Sequence, residues 1–93
     1  MRVGTILIKL YLPQPCSLKE KRAIIKRLIA KARREFNVSI AEVGALDDRR
    51  RAELGAALVS NDGRLNNRAL TKLVKLLERE PQVLVEDYRI EIL

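Results

Sequence analysis

The order in which strand-forming and helix-forming segments follow one another is what most limits the fold of this chain. Four segments are rich in aliphatic and β-branched residues, and two carry apolar residues at the three- and four-residue spacing of an amphipathic helix. The predicted strands cover residues 3–12, 38–43, 52–60 and 83–93, and the predicted helices cover residues 17–36 and about 62–80. This β-α-β-β-α-β order is typical of a single ferredoxin-like domain spanning residues 1–93.

The crossover rule turns this order into a topology. Right-handed connections place the first and third strands side by side, in the sheet order 4-1-3-2, with both helices on one face. We therefore expect an α+β, ferredoxin-like βαββαβ sandwich with a four-stranded antiparallel sheet. We also expect the first and third strands to run parallel to each other, in which case both helices begin at the same end of the sheet.

Capping residues mark the helix boundaries. Ser17 stands three residues before Glu20, which is the spacing of a capping box. Either Asn61 or Asp62 is the expected cap of the second helix, and Pro81 ends it.

Two strands leave their inward faces open to alternative interpretations. In the third strand, either Leu54 and Leu58 or Ala57 and Val59 point toward the core.

In the last strand, Tyr88, Ile90 and Ile92 alternate on one phase, whereas Val83 and Val85 lie on the opposite phase. This predicts either a β-bulge or an open apolar face. In the second case the sheet face away from the helices would carry Leu7, Val83 and Val85.

Composition excludes several kinds of function. The chain has no histidine, so a Cys–His nucleophile and a histidine-based metal site are excluded. Its single cysteine, Cys16, cannot form an internal disulfide or a zinc cluster, which fits a reducing cytoplasm. No apolar run reaches the roughly 18 residues that span a bilayer. We therefore predict a cytoplasmic protein that is not an enzyme and has no catalytic residue, cofactor, metal or membrane partner.

Charge is the strongest functional signal. The net charge is +7, and the segment of residues 17–36 holds eight basic residues but only Glu20 and Glu35 as acids. Arginine outnumbers lysine twelve to seven, which favours the forked contacts that guanidinium groups make with phosphate. A basic surface of this kind predicts an anionic partner, and nucleic acid is the first candidate. The alternative is an ordinary solvated helix face.

The basic residues fall on defined helix faces. On the second helix they lie within about 80° of arc, opposite Leu70 and Val74. We expect the outward faces of the two helices to merge into one basic surface, extended by arginines of the loop before the third strand. The candidate nucleic-acid-binding residues are Lys19, Arg22, Lys26, Arg33, Arg49, Arg50, Arg51, Arg64, Arg68, Lys72, Lys75 and Arg79.

Aromatic residues are too few for the usual mode of RNA binding by a four-stranded sheet. That mode stacks bases on aromatics of the two central strands, where this chain offers only Tyr11. Binding is therefore expected through helix faces, with preference for RNA shape over base identity.

The two helix N-termini suggest a second, small-anion site. If both helices begin at one end of the sheet, their free amides converge there with the side chains of Ser17, Lys19, Lys21 and Asn61. Lys21 lies close to the core-facing stripe. The alternative is that the two caps serve only their own helices and that Lys21 extends its ammonium group to solvent.

Several blocks in order resemble the bacterial YlxP-like family. They are residues 17–22 (SLKEKR), 36–39 (FNVS), 41–43 (AEV), 51–55 (RAELG), 59–62 (VSND) and 87–92 (DYRIEI). The resemblance implies a small ferredoxin-like domain of unknown function. Members are often encoded beside ribosome-binding factor A and other translation genes, which implies work on RNA or the ribosome. Residues 47–50 (DDRR) depart from the family, where this loop often carries an aromatic and a glutamine.

Together these observations predict an accessory protein that binds structured RNA or the ribosome through helix-borne arginine and lysine. The rival hypothesis is a protein–protein adaptor that uses the sheet face left bare by the helices. A small-anion sensor at the helix N-termini is the third. An exposed apolar sheet face would also favour self-association, with a homodimer as the expected state.

Overall fold

The computed structural model describes residues 1–14 and 17–93. Cys16 and the expectations attached to it lie outside these residues. The elements follow the predicted order: β1 (Arg2–Tyr11), α1 (Leu18–Glu35), β2 (Ser39–Gly44), β3 (Arg51–Ser60), α2 (Gly63–Glu78) and β4 (Leu84–Ile92).

The sheet has the order β2-β3-β1-β4, which is the predicted 4-1-3-2 read from the other edge. Every neighbouring pair of strands is antiparallel. The expectation that β1 and β3 run parallel is wrong, because Arg2 pairs with Ser60 and Tyr11 pairs with Arg51. The crossover makes β1 parallel to β2, and the connection from β2 to β3 then reverses the chain before β3 enters the space between them. As a result α1 and α2 begin at opposite ends of the sheet.

Both helices cover the face formed by alternate residues of β1. Ile6, Ile8, Leu10 and Leu12 are all buried there, as their alternation predicted. In β3, Leu54 and Leu58 point inward, which is the first of the two predicted alternatives. The helices complete this core with Ile25, Leu28, Ala32, Leu70, Leu73, Val74, Leu76 and Leu77.

A β-bulge in β4 resolves the two conflicting phases of the last strand. Lys9 of β1 pairs with Asp87 and Leu10 pairs with Val85, so Glu86 has no opposite residue in β1. The extra residue brings Val85 onto the same face as Ile90. Val83, just before the strand, is buried in the core. The bulge alternative is therefore confirmed, and the placement of Val83 and Val85 on the bare sheet face is wrong.

The helix starts follow the capping prediction. The Ser17 hydroxyl accepts from the Glu20 N–H at 3.1 Å, and the Glu20 carboxylate accepts from the Ser17 N–H at 3.1 Å. These hydrogen bonds hold the pKa of Glu20 below its usual value. Asp62, one of the two alternatives, caps α2 by accepting from the Arg64 N–H at 2.9 Å.

Glu80 ties the C-terminal end of α2 to α1. Its Oε1 lies 3.1 Å from Lys31 Nζ and 3.5 Å from a guanidinium nitrogen of Arg27, and its side chain is 9% exposed. The hydrogen bond from Lys31 is the largest cause that lowers the pKa of Glu80, and the charges of Lys31 and Arg27 lower it further. The ionised form of this carboxylate is therefore the one that stabilises the packing of the two helices.

We predict that this link makes stability fall in acid. An ordinary glutamate titrates near 4.5, and the folded-state pKa of Glu80 is lower. The stabilisation that ionised Glu80 provides is therefore complete above pH 4.5 and is lost as the pH falls through the folded-state pKa. Urea unfolding between pH 3 and pH 7 should show that E80Q is less stable at neutral pH and has a flatter acid limb. E78Q, at an exposed glutamate of α2, is the matched control. Parallel profiles for E80Q and the wild type would contradict the assignment.

Candidate nucleic-acid interface

The basic residues of α2 form one continuous exposed row, which we call the α2 basic row. Its members share the side of the helix opposite the buried Leu70, Leu73 and Leu77. Among residues 1–14 and 17–93, no carboxylate forms an ion pair with any of them. They are Arg64, Arg68, Lys72, Lys75 and Arg79.

The end of α1 borders this row. Phe36 and Glu35 line a shallow groove with Arg68 and Lys72, so the row faces solvent above the seam between the helices. Phe36 is half-buried against the core. The groove thus has an apolar floor and mainly cationic walls.

A different arrangement holds the predicted cluster on α1. Arg33 donates to the Ile40 carbonyl of β2 at 3.0 Å, and a guanidinium nitrogen of Arg22 lies 3.6 Å from Asp47 in the β2–β3 loop. Lys19 and Lys26 line a depression together with Arg22 and a carboxylate of β2. This cluster therefore lies on the flank of α1 that faces β2, away from α2.

The expectation that all helix cations merge into one surface is therefore wrong for Lys19, Arg22, Lys26 and Arg33. Arg27 and Lys31, on the flank toward α2, are engaged with Glu80. A helix wheel gives the angles between residues of one helix, but the direction in which each flank points depends on how the helix is seated on the sheet.

The loop arginines are held by the protein itself. Arg51 belongs to β3 rather than to the preceding loop, and its guanidinium lies over the ring of Tyr11 at 5.0 Å from the centroid and pairs with Glu86. Arg50 donates to the Tyr11 hydroxyl at 2.9 Å. Arg49 also has a partner within the molecule. These contacts place Arg50 and Arg51 at Tyr11, the C-terminal end of β1, apart from the α2 basic row.

The same loop is shaped by Asp48. Its Oδ1 accepts from the N–H of Arg50 at 2.8 Å and from the N–H of Arg51 at 3.1 Å, and these bonds lower the pKa of Asp48, the Arg50 bond most. The carboxylate thus fixes the turn that leads into β3.

The predicted anion site at the helix N-termini is not formed. Ser17 and Lys19 lie at the start of α1 and Asn61 at the start of α2, and the antiparallel pairing of β1 with β3 puts these starts at opposite ends of the sheet. Lys21 is fully buried and faces the protein interior. The four residues therefore cannot contact one anion.

Lys21 instead stabilises the start of the β2–β3 loop from the protein interior. Its ammonium nitrogen lies 2.8 Å from Glu42 Oε2 and donates a hydrogen bond of 2.8 Å to the Ala45 carbonyl. Ala45 has φ of 56°, a left-handed conformation that a non-glycine residue rarely adopts. The buried ion pair and this bond hold the loop that presents Asp47 and Asp48. The proximity of Lys21 to the apolar stripe was visible in the sequence, but its partners were not.

Arg2 is a cation that sequence reasoning missed. It lies with Arg64 and Arg68 around a cleft at the start of α2, and its Nε donates to the Leu93 carbonyl at 3.0 Å. The signal that could have located it is the strand register: antiparallel pairing sets Arg2 opposite Ser60, two residues before the cap of α2.

The bare sheet face is more mixed than expected. Leu7 is half-buried there, and Val43 and Val59 are exposed, 56% and 60% respectively. Charged residues share this face, because Lys9 pairs in register with Asp87 and Leu7 with Arg89. It is a patchwork rather than a single apolar surface.

The described residues offer neither a membrane-spanning helix nor a metal-binding cluster. No helix within residues 1–14 and 17–93 is long and apolar enough to cross a membrane. The described part of the chain also places no group of three or more cysteine or carboxylate side chains where they could hold a metal ion.

Comparison with known proteins assigns the family. Residues 3–90 match the family DUF503, whose description is "protein of unknown function". The chain belongs to this family. The uncharacterized protein YlxP of Bacillus subtilis is 36% identical over 67 residues, which cover 72% of this chain and 73% of YlxP. The resemblance to YlxP-like proteins is thus confirmed.

A solved structure supports the fold. A de novo designed protein with a ferredoxin fold, LFR1 1, studied by solution NMR, superposes with a TM-score of 0.61 at 17% identity, covering 98% of this DUF503 chain and 86% of the design. Because the design shares the arrangement of elements but has a largely different sequence, the likeness supports the fold only.

Breaking the buried ion pair should destabilise the domain strongly. K21A leaves Glu42, whose side chain is only 15% exposed, without its cation, and it removes the donor to Ala45. Loss of one partner of a buried pair costs about 3–5 kcal/mol of unfolding free energy. The control is K21M/E42L, which removes both charges and should lose much less than K21A, as measured by urea denaturation. Equal losses would show that the charge pair is not the cause.

Proposed function

We propose that this DUF503 protein is a non-catalytic, cytoplasmic accessory protein that binds structured RNA, including ribosomal RNA, through the phosphate backbone. The observation that carries the proposal is the α2 basic row: five exposed cations on one helix face, with no carboxylate paired to them among the described residues. Surfaces without a ligand usually neutralise such rows with acids on the same face, and here Glu78 is the one acid within α2.

The dimensions of the row suit a polyanion. From Arg64 to Arg79 the helix rises about 22 Å, at 1.5 Å per residue. Cations three or four residues apart lie roughly 5–6 Å from each other at their Cβ atoms, and their long side chains reach further. Such a row can contact several consecutive phosphates of a nucleic acid at once. A small anion is too short to contact the whole row.

The remaining surface defines how RNA would be held. Tyr11, the aromatic of the central strands, has the guanidinium of Arg51 over its ring and Arg50 bonded to its hydroxyl, which disfavours the stacking of bases there. Recognition would therefore depend on the backbone and shape of the RNA. Arg2, beside the start of α2, would extend the footprint toward the sheet.

The interface proposed here is smaller than the set predicted from the sequence. Arg22 is partly neutralised by Asp47, and the cluster that contains it faces β2. We therefore assign the principal contacts to the α2 basic row and treat Lys19, Arg22, Lys26 and Arg33 as a separate, secondary surface.

Salt and substitution test the proposal together. A labelled RNA hairpin should bind with affinity that falls steeply with salt, at a log–log slope of about −0.7 to −0.9 per neutralised phosphate. R68Q/K72Q should weaken binding at least tenfold and reduce the slope by about 1.4–1.8, because two phosphate contacts are lost. Both side chains are exposed, so the fold should be unaffected.

The matched control is K9Q/R89Q, which also removes one arginine and one lysine but from the bare sheet face. It should leave both the affinity and the slope close to those of the wild type. Equal weakening by the two double variants would mean that net charge alone attracts RNA. Recovery of the same protein partners from a bacterial lysate with and without ribonuclease, and with no RNA, would instead favour the adaptor hypothesis.

A further inference from the structure

The two edges of the sheet differ in whether they are covered. At the β2 edge, Arg33 of α1 reaches over the strand and bonds the Ile40 carbonyl at 3.0 Å. β4 forms the other edge, and Leu84 and Tyr88 on it are 54% and 45% exposed. An unpaired strand edge readily accepts another strand. β4, nine residues long against six for β2, is therefore the better edge for a further strand.

The direction of the free backbone groups on β4 follows from one hydrogen bond. The Leu93 N–H donates to the Val3 carbonyl of β1, so Leu93 points its backbone inward. Backbone N–H and C=O groups of successive residues point to opposite sides of a strand. Those of Ile92, Ile90 and Tyr88 therefore point outward, away from β1. The Tyr88 N–H accordingly bonds a carboxylate oxygen of its neighbour Asp87 at 2.9 Å instead of a strand.

The charges along β4 are complementary to a second copy of themselves. With a two-fold axis at Ile90, Arg89 of one copy lies opposite Glu91 of the other, twice. Arg89 and Glu91 already approach within 3.5 Å along one strand, so pairing would close a ring of four alternating charges. Moving the axis to Arg89 or Glu91 sets like charges against each other, and moving it toward Asp87 runs into the bulge at Glu86.

The opposite face of the same segment is apolar. In the Ile90 register, Tyr88 of one copy meets Ile92 of the other, and the two Ile90 side chains meet at the axis. Tyr88, Ile90 and Ile92 face the helix layer in register with Ile8, Ile6 and Gly4. Pairing would therefore cover the exposed ring of Tyr88 and extend the existing core across the axis.

The helices also allow this approach. α2 packs on both β1 and β4, which places it over these two strands rather than beyond the free edge of β4. With strands about 4.8 Å apart, two α2 helices across a β4–β4 pair would lie roughly 10 Å apart. That is close to the distance at which helices pack.

We propose that two copies of this chain associate through antiparallel pairing of their β4 strands about Ile90, forming one continuous eight-stranded sheet. The outward backbone groups of Ile90 bond to those of its copy, and those of Tyr88 bond to those of Ile92, with the Tyr88 N–H exchanging its bond to the Asp87 carboxylate for one to the Ile92 carbonyl. This inference concerns β4 and is independent of RNA binding by the α2 basic row. The helices of both copies lie on the same side of the joined sheet.

Charge exchange at β4 tests the pairing. Sedimentation at about 100 µM should show the wild type near twice the 10.6 kDa chain mass. R89E places two carboxylates opposite each other, and E91R places two guanidinium groups opposite each other, so each should raise the dimer dissociation constant about tenfold or more. Arg89 and Glu91 are exposed, 74% and 55% at their side chains, so neither change should unfold the chain, which circular dichroism checks.

Two rescues make the test specific. The double variant R89E/E91R should dimerise like the wild type, because the opposite charges are exchanged but retained. Equimolar R89E and E91R should form a mixed dimer, since every charge then meets its opposite. A wild type that stays at the chain mass would overturn the proposal, and so would a dimer that none of these changes affects, which would place the interface on the sheet face or on the helices. R68Q/K72Q, outside β4, should dimerise normally whatever its RNA affinity.

Discussion

The antiparallel pairing of β1 with β3 fixes the positions of the helices and of the outer strands. These two central strands pair along their whole length, from Arg2 with Ser60 to Tyr11 with Arg51. The pairing presents one alternating apolar face to both helices, and burial of that face supplies the main favourable contribution to folding. It also makes the helices start at opposite ends of the sheet, which decides where every charged residue on them can act.

The helices show how one physical requirement produces an exposed cationic surface. Each helix must bury a stripe of aliphatic residues, so its charged residues are confined to the remaining arc. On α2 no carboxylate within the described residues forms an ion pair with the cations of that arc. On α1 the same requirement leaves two charged flanks, and both contact acceptors within the protein. Arg22 and Arg33 bind groups on the β2 side, and Arg27 and Lys31 bind Glu80. Local composition alone does not distinguish a cation that stabilises the fold from one that is available to a partner.

Lys21 illustrates the cost and use of a buried charge. An ammonium group with no exposed surface must be compensated, and here one carboxylate and one backbone carbonyl do so. In return a single side chain from α1 fixes both β2 and the left-handed residue that follows it. This explains why a lysine is placed beside the apolar stripe without any need for an anion.

The element order and the cap at Ser17 could be read from the sequence because periodicity and capping chemistry are local properties, and the crossover rule then supplied the sheet order 4-1-3-2. The sequence narrowed the cap of α2 to Asn61 or Asp62 and the last strand to a bulge or an open apolar face, and the structure chose Asp62 and the bulge. The sequence also located the basic row of α2, since a helix wheel requires only the spacing of residues. The tertiary structure alone decided the direction of β3 against β1, the burial of Lys21 and the engagement of Arg50 and Arg51 with Tyr11. Those features join residues between 21 and 58 positions apart, and which of them meet depends on strand direction and on how each helix is seated on the sheet.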